Sequence, residues 1–525
     1  MIRKVRLIAT ALVCGTTLVL GACGGGGSAA PGGSAGASGA AGEPVAGGNG
    51  RILTLSEPRS LDPITIGNAY ASSGVIGNAL YGTLMTSDDA GKVVYKMAAS
   101  FTTADSGASF ELKLKPGLVF SDGTPLDAAA VKFNWERAKD PATGSVNVSE
   151  ASMIASAEVV DPVTLKIGLT SPVPSFAQSI VTSTLNWIAS PAALEKGQAE
   201  FDKNPVGAGP FMLKSWTRQA TMELVKNPKY WDAPRPYLDS ISFRPALDAS
   251  QRFNTISTGG ADVAIESNWV NLDKAAKADL PTEVMDLSGG IFLAMNARRA
   301  PFDDVRARQA IAAALDMNAV NQAVYSGTAE PADTLFAKDS PYYSDTPLTH
   351  PDKAKAQQLF DELAAEGKPV SFTFTSAPTT ENRTLAENVQ AQLSAFRNVT
   401  VQVKIIEVAE LAGLRRTHDF DMATSSAFFQ DPEPRLFTAF HSTSAANLGG
   451  LADPQLDQAL QDARTATTDQ ERETAYGKLQ DRLIEQVPMI FHSRAAPSAV
   501  TSKNVGGVQQ YGLGSLLPEE LWIKA

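Results

Sequence analysis

A chain of 525 residues is too long for one hydrophobic core and predicts two to four domains, and at 43% apolar residues it has the material to fill them. The formal charge of −11, with no basic run to interrupt the acidic balance, argues against nucleic acid as a partner. Cys14 and Cys23 are the only cysteines, which excludes a small disulfide-stapled scaffold.

The N-terminus reads as an export signal. Arg3, Lys4 and Arg6 form a positive segment, and residues 7–20 are an apolar stretch too short to span a bilayer comfortably. Leu20-Gly21-Ala22-Cys23 resembles the site at which bacterial lipoproteins are cleaved and diacylated. Residues 1–22 are then a signal peptide and Cys23 a lipidation site at the head of the mature chain. Losing three cations and no acid takes the formal charge from −11 to −14. Cys14 leaves with the signal, so the exported chain has no disulfide available and relies on the size of its core. Each buried CH₂ of an acyl chain contributes roughly 0.8 kcal/mol, and stable anchoring takes more than one chain. No second apolar run approaches the length of a transmembrane helix, so the protein reads as anchored and not spanning.

After Cys23, residues 24–50 are almost wholly Gly, Ala, Ser and Pro, a composition that behaves as a flexible tether. Gly32-Gly33-Ser34-Ala35-Gly36 is a formal match to the G-x-S-x-G nucleophile elbow, but neither the strand nor the helix that the elbow needs flanks it. From Arg51 the pattern turns to strand, with Ile52, Leu53 and Leu55. Phe110, Leu112 and Leu114 alternate with polar residues and predict a half-buried strand. Asp122-Gly123 supplies a turn, and a helix beginning at Asp127 as N-cap buries Val131 and Trp135. A further helix is predicted over residues 302–325, capped by Asp303 or Asp304 and stopped by Gly327. Beyond His350 helices and strands alternate: helix 352–365, strand 370–375, helix 381–396, strand 399–406, a short helix through Leu414, strand 419–424. This alternation predicts βαβ units and a largely parallel sheet that binds ligand at its carboxyl edge. Thr468 and Glu471 form a capping box for a C-terminal helix carrying Tyr476, Leu479 and Leu483, followed by a strand over 489–491.

Catalytic chemistry finds little support. The four histidines, His350, His418, His441 and His492, are not spaced as helical metal ligands, and no serine precedes a lysine by three residues. Asp88-Asp89 falls in a polar turn and Asp303-Asp304 at a helix start, where carboxylates favour the dipole. The aromatic residues point to binding. Trp269 follows Glu266-Ser267-Asn268, and Phe428-Phe429 precede Gln430 and Asp431 at the end of the last predicted parallel strand. Ring faces beside a few polar groups make a small-molecule pocket, with core packing the alternative for each ring.

Eight ordered motifs resemble the successive signatures of the dipeptide, oligopeptide and nickel class of ABC-importer solute-binding proteins, family 5. They are Leu61-Asp62-Pro63, Ala79-Leu80-Tyr81-Gly82-Thr83-Leu84, Met97-Ala98-Ala99-Ser100-Phe101, Phe120-Ser121-Asp122-Gly123-Thr124-Pro125-Leu126, Pro205-Val206-Gly207-Ala208-Gly209-Pro210-Phe211, Asn227-Pro228-Lys229-Tyr230-Trp231, Gly260-Ala261-Asp262, and Pro301-Phe302-Asp303-Asp304-Val305-Arg306-Ala307-Arg308-Gln309-Ala310. The resemblance covers residues 51–525. It implies an α/β, two-lobed periplasmic-binding-protein (Venus-flytrap) fold with an extra inserted α/β domain. Lobe I would be built from 51–82, 183–284 and 491–525, the inserted domain II from 83–182, and lobe II (domain III) from 285–490.

Peptide-binding members place an Asp against the free amino terminus of the ligand. Here that position falls on Phe428 or Gln430, depending on where the gap is placed, with Asp431 one residue beyond. Asn268, Trp269, Phe428, Phe429, Gln430 and Asp431 are therefore the candidate ligand residues. No cofactor and no metal site is implied, and four scattered histidines give nickel carriage no support.

The function that follows is a monomeric, lipid-anchored receptor on the outer face of the cytoplasmic membrane or in the periplasmic space. It captures a peptide or similar small solute by hinge closure and delivers it to an ABC permease driven by an ATPase, and it is not an enzyme. One rival keeps the fold without transport, as an envelope lipoprotein that senses a ligand or binds a partner protein. The other, an exported hydrolase, lacks a nucleophile constellation.

Overall fold

The structure is a computed structural model that describes residue 40 and residues 42–72 and 74–524. Cys23, the signal peptide and tether residues 24–39, with the Ser34 elbow match, lie outside the described residues. Among the described residues no helix is long and apolar enough to cross a membrane.

The first lobe is built on a seven-stranded sheet ordered Thr282–Val284, Ser498–Thr501, Val263–Glu266, Asn49–Thr54, Ser240–Pro245, Thr221–Lys226 and Phe211–Thr217. Asn49–Thr54 sits in the middle and runs parallel to both neighbours; the other pairs are antiparallel. A central strand is covered on both faces, which is why Ile52 and Leu53 are apolar in succession. Ile52 joins the core of Trp187, Ile241 and Phe243, while Leu53 points to a second core with Leu272 and Val500. Each such side chain contributes roughly 1.5–3 kcal/mol by leaving water. The start of the described chain lies along this lobe, with the Ala40 amide donating to the Val505 carbonyl (2.8 Å) and the Gly47 amide to Tyr237 (2.8 Å).

The insertion carries a four-stranded antiparallel sheet in the order Ala98–Thr102, Ser109–Leu114, Thr164–Leu169, Ile154–Asp161. Phe110, Leu112 and Leu114 face its core, where the Phe101 and Phe110 rings stack 4.6 Å apart. The helix Ala128–Ala138 covers the sheet; Asp127 caps it by accepting from the Ala130 amide, and Val131 and Trp135 are buried.

The second lobe holds a five-stranded sheet in the order Val399–Ile405, Val370–Ser376, Met422–Phe429, Ser288–Met295, Met489–Ser493. The first three strands are parallel, joined by the helices Thr380–Leu393 and Val408–Thr417; the last two run antiparallel to their neighbours. The predicted largely parallel sheet is thus a mixed one, and the cause is the connection to the first lobe. Ser288–Met295 carries the chain into the lobe and Met489–Ser493 carries it back, so the two must point in opposite directions. Strands parallel to the returning one end at the boundary between the lobes, which brings the ends of Val370–Ser376 and Met422–Phe429 to that edge.

The chain crosses between lobes at residues 285–287 and 494–497, and the two crossings are joined by the Met285 amide donating to the Pro497 carbonyl (2.9 Å). Ile291 is registered with Ser493, so the second lobe's sheet runs three residues past the boundary at 490 drawn from the resemblance. Arg494 gathers the crossing: its guanidinium donates to the carbonyls of Gly289 (2.6 Å) and Phe336 (3.1 Å) and to the Thr334 hydroxyl (2.9 Å). Gly289 and Gly290 have φ of +71° and +156°, and a Cβ on Gly289 would overlap the Ala427 carbonyl oxygen.

Two further elements differ from the sequence expectation. The helix predicted over 302–325 is split into Val305–Ala314 and Met317–Tyr325, because Asp316 caps the second piece by accepting from the Asn318 and Ala319 amides while buried Leu315 is extended. The strand predicted over 419–424 is Met422–Phe429, since His418 ends the preceding helix in the left-handed region and ladder pairing with Ser288–Met295 carries on to Phe429. The capping box of Thr468 and Glu471 on Asp469–Gln486 is as predicted.

Candidate ligand-binding cleft

Where the lobes face each other, the contacts are polar and aromatic. Asn268 caps the first-lobe helix Trp269–Lys277, its side-chain oxygen accepting from the Asn271 amide (3.0 Å). That leaves its side-chain nitrogen pointing outward, and it donates to Glu381, in the first turn of Thr380–Leu393 of the second lobe. Close by, the rings of Tyr70 from the first lobe and Phe428 from the second lie 5.9 Å apart at 46°. Gln430 reaches the insertion, accepting from the Ser87 hydroxyl (2.6 Å) and donating to the carbonyls of Asp88 (2.7 Å) and Asp89 (3.2 Å).

Asn268, Phe428 and Gln430 are thus brought to the interlobe boundary, with Trp269 at the chain crossing beside it; Phe429 and Asp431 sit elsewhere. Trp269 packs beside the crossing, its indole N–H donating to the Arg494 carbonyl (3.1 Å). Phe429 is fully buried in the second lobe's core, edge-on to Phe336 at 5.8 Å. The alternation of a strand explains it: Phe428 and Phe429 point to opposite faces. Asp431 lies behind the cleft, its two oxygens held by the Arg472 guanidinium at 2.9 and 3.2 Å. Both side chains are 15% exposed.

The charges at the boundary are unequal. Glu266 is 3% exposed and saturated: Arg252 forms a two-nitrogen pair with it, and the Asn271 side chain and the amides of Ser267 and Asn268 donate to it as well. The remaining Arg252 nitrogen is bound to the Ala246 and Leu247 carbonyls. Glu381 forms no ion pair among the described residues. Burial, then the neighbouring Glu266 charge, raise its pKa above the usual carboxylate range. Tyr70, hydrogen-bonded to Ser267, and Tyr325, hydrogen-bonded to Ser493, are each pushed up to about 12 by burial first, with the Glu381 charge adding to both. His492 stacks on Tyr325 at 6.2 Å and burial pushes it down to about 4, so it is neutral.

Tyr70, Glu381 and Tyr325 were missed by sequence reasoning. Glu381 reads locally as an ordinary acid in a first helical turn, and nothing around Tyr70 or Tyr325 marks them. A separate concavity of about 340 Å³, lined by Asp202, Lys203, Leu213, Ser215, Trp216 and Arg218, lies on the strand Phe211–Thr217 and shares no residue with the cleft.

The chain has recognisable relatives. A family model described as bacterial extracellular solute-binding proteins, family 5 Middle, matches residues 92–447. The glutathione-binding protein GsiB of Pectobacterium atrosepticum is 29% identical over 469 residues, covering 85% of this chain and 89% of that protein. Among solved structures, AgaA of A. tumefaciens R10 in complex with agropinic acid superposes with a TM-score of 0.79 at 23% identity over 91% of this chain and 99% of that one. The dipeptide-binding protein of Pseudoalteromonas sp. SM9913 in complex with Met-Leu does so with a TM-score of 0.79 at 22% identity over 91% and 100%.

Proposed function

The chain belongs to the bacterial extracellular solute-binding proteins, family 5, and from that membership we propose that it is the lipid-anchored receptor of an ABC importer for peptides or similar small solutes. The relatives named for glutathione and for a dipeptide complex support the cargo class. The observation that carries the mechanism is the bond from Asn268 in one lobe to Glu381 in the other, beside the Tyr70 and Phe428 rings. Polar and aromatic contacts of this kind, unlike an apolar core, are exchanged for water or ligand at small cost, so the lobes separate and close about the crossings at 285–287 and 494–497. A solute touching both lobes favours the closed form in proportion to its differential affinity for it.

Native mass spectrometry of protein purified from its own host tests the reading; a co-purified peptide-like solute is expected. A preparation that carries no such solute and binds neither glutathione nor mixed short peptides by calorimetry would remove the cargo class. The anchor is tested separately: Cys23→Ser is expected to leave a folded protein that no longer sediments with membranes. Sedimentation that survives high salt in the variant would refute the lipid anchor.

A further inference from the structure

We propose that Glu381 is the counterion for a primary ammonium of the cargo. This rests on the receptor reading above and narrows it to solutes that present a free amine to the second lobe. The position follows from the charge count across the cleft. When the lobes meet, Glu266 is already neutralised by Arg252, whose nitrogens are all engaged. Glu381 arrives from the opposite lobe with one amide donor, Asn268, and no ion-pair partner among the described residues, Arg252 acting on it only from its place on Glu266. Closing the cleft without a cation therefore leaves one uncompensated negative charge in a partly dehydrated site next to a second carboxylate, an arrangement that opposes closure. An ammonium removes the penalty, and none of the described lysines or arginines forms an ion pair with Glu381.

The surroundings suit that group. An ammonium has three donors and no acceptor, and the Tyr70 and Tyr325 hydroxyl oxygens lie near enough for the Glu381 charge to act on both. The rings of Tyr70 and Phe428 add faces that attract a cation. Asp431, beside the position where the family resemblance puts an amine anchor, is committed to Arg472. Among the described residues Glu381 thus lacks the paired cation that each of these two acids already has.

The test compares wild type with Glu381→Gln, which keeps the shape and removes the charge. Four probes are titrated by calorimetry: a lysine-free pool of di- to pentapeptides, the same pool N-acetylated, glutathione, and spermidine. We expect wild type to bind a free-amine probe and the variant to bind it at least about thirtyfold more weakly, with the acetylated pool indifferent to the substitution. In the absence of any probe, small-angle scattering is expected to show the variant more compact than wild type, because the charge that opposes empty closure is gone. Glu381-dependent binding of spermidine alone would support the ammonium site while removing the peptide cargo. Acetylated peptides bound as tightly as free ones, or a variant with wild-type affinity for the free-amine probe, would overturn the ammonium site and leave peptide cargo standing. Binding of no probe would overturn both.

Discussion

The carboxylate of Asp431 and the guanidinium of Arg472, 41 residues apart in the chain, form a two-nitrogen pair inside the second lobe, with Arg472 lying over the rings of Tyr342 and Tyr476 at 5.4 and 5.7 Å. Breaking a buried pair by removing one partner typically costs about 3 kcal/mol or more. Asp431→Asn is therefore expected to lower the melting temperature and the denaturation midpoint while leaving ligand affinity per folded molecule unchanged. Loss of binding at unchanged stability would place Asp431 functionally in the cleft.

Gln430→Ala addresses closure. The side chain makes three hydrogen bonds to the insertion, from Ser87 and to Asp88 and Asp89, and each such partly exposed bond contributes on the order of 0.5–1 kcal/mol. The three together amount to about 1.5–3 kcal/mol, so affinity for cargo is expected to fall by about ten- to a hundredfold, through a smaller closed population. Calorimetry gives the affinity and scattering the compaction; equal affinity in the variant would mean that the insertion does not take part in closing.

Gly289→Ala tests the crossing. The residue has φ of +71° and its new methyl would overlap the Ala427 carbonyl across the ladder, so a loss of roughly 2 kcal/mol or more is expected. Gly367→Ala is the control, with a similar φ of +77° but open space around its Cβ, and is expected to cost about 1 kcal/mol. Equal melting shifts for the two variants would remove the steric argument.

Glu519 predicts a pH dependence. It is 3% exposed with one oxygen unpartnered, and burial is the main reason its pKa rises to about 7; Glu520 and Asp232 add to the rise, and Lys96 opposes it. Arg235, paired with Glu520, and buried Tyr230 face the same cluster. A folded pKa above the unfolded one means the folded state binds the proton more tightly. The stabilising contribution is therefore complete below about pH 4.5 and is lost as pH rises to about 7, some 3 kcal/mol in all. Glu519→Gln, which cannot titrate, is expected to match wild type near pH 4.5 and to exceed it increasingly towards pH 8 in urea denaturation. Parallel pH profiles for the two proteins would show that Glu519 titrates normally.

What the sequence made legible was local or ordered along the chain. Asp127 caps its helix and Thr468 with Glu471 its box because those bonds join residues three apart, and Phe110, Leu112 and Leu114 share a face because strand alternation needs no outside information. The eight motifs led to the family for the same reason. The pair of Phe428 and Phe429 shows the limit: a strand sends neighbours to opposite faces, but which one reaches the cleft depends on register with Ser288–Met295, and one residue of slip reverses the answer. Asn268 with Glu381 and Tyr70 with Phe428 are further out of reach, since each pair meets only when two separately folded lobes come together. Even within a lobe, Asp431 read as a candidate ligand residue because Arg472, its partner, is remote in sequence.

The bond from Ala40 to Val505 gives the two lobes different mechanical roles. On the proposed anchoring at Cys23, the tether delivers its pull to the first lobe alone, through a chain that is already laid along it. The first lobe is then the stator, moored to the bilayer, and the second is the rotor, free to swing without dragging the acyl chains through the lipid. On the proposed closure, each stroke would be felt at the membrane as the approach or retreat of one lobe, with cargo at the proposed Glu381 site travelling with the part that moves.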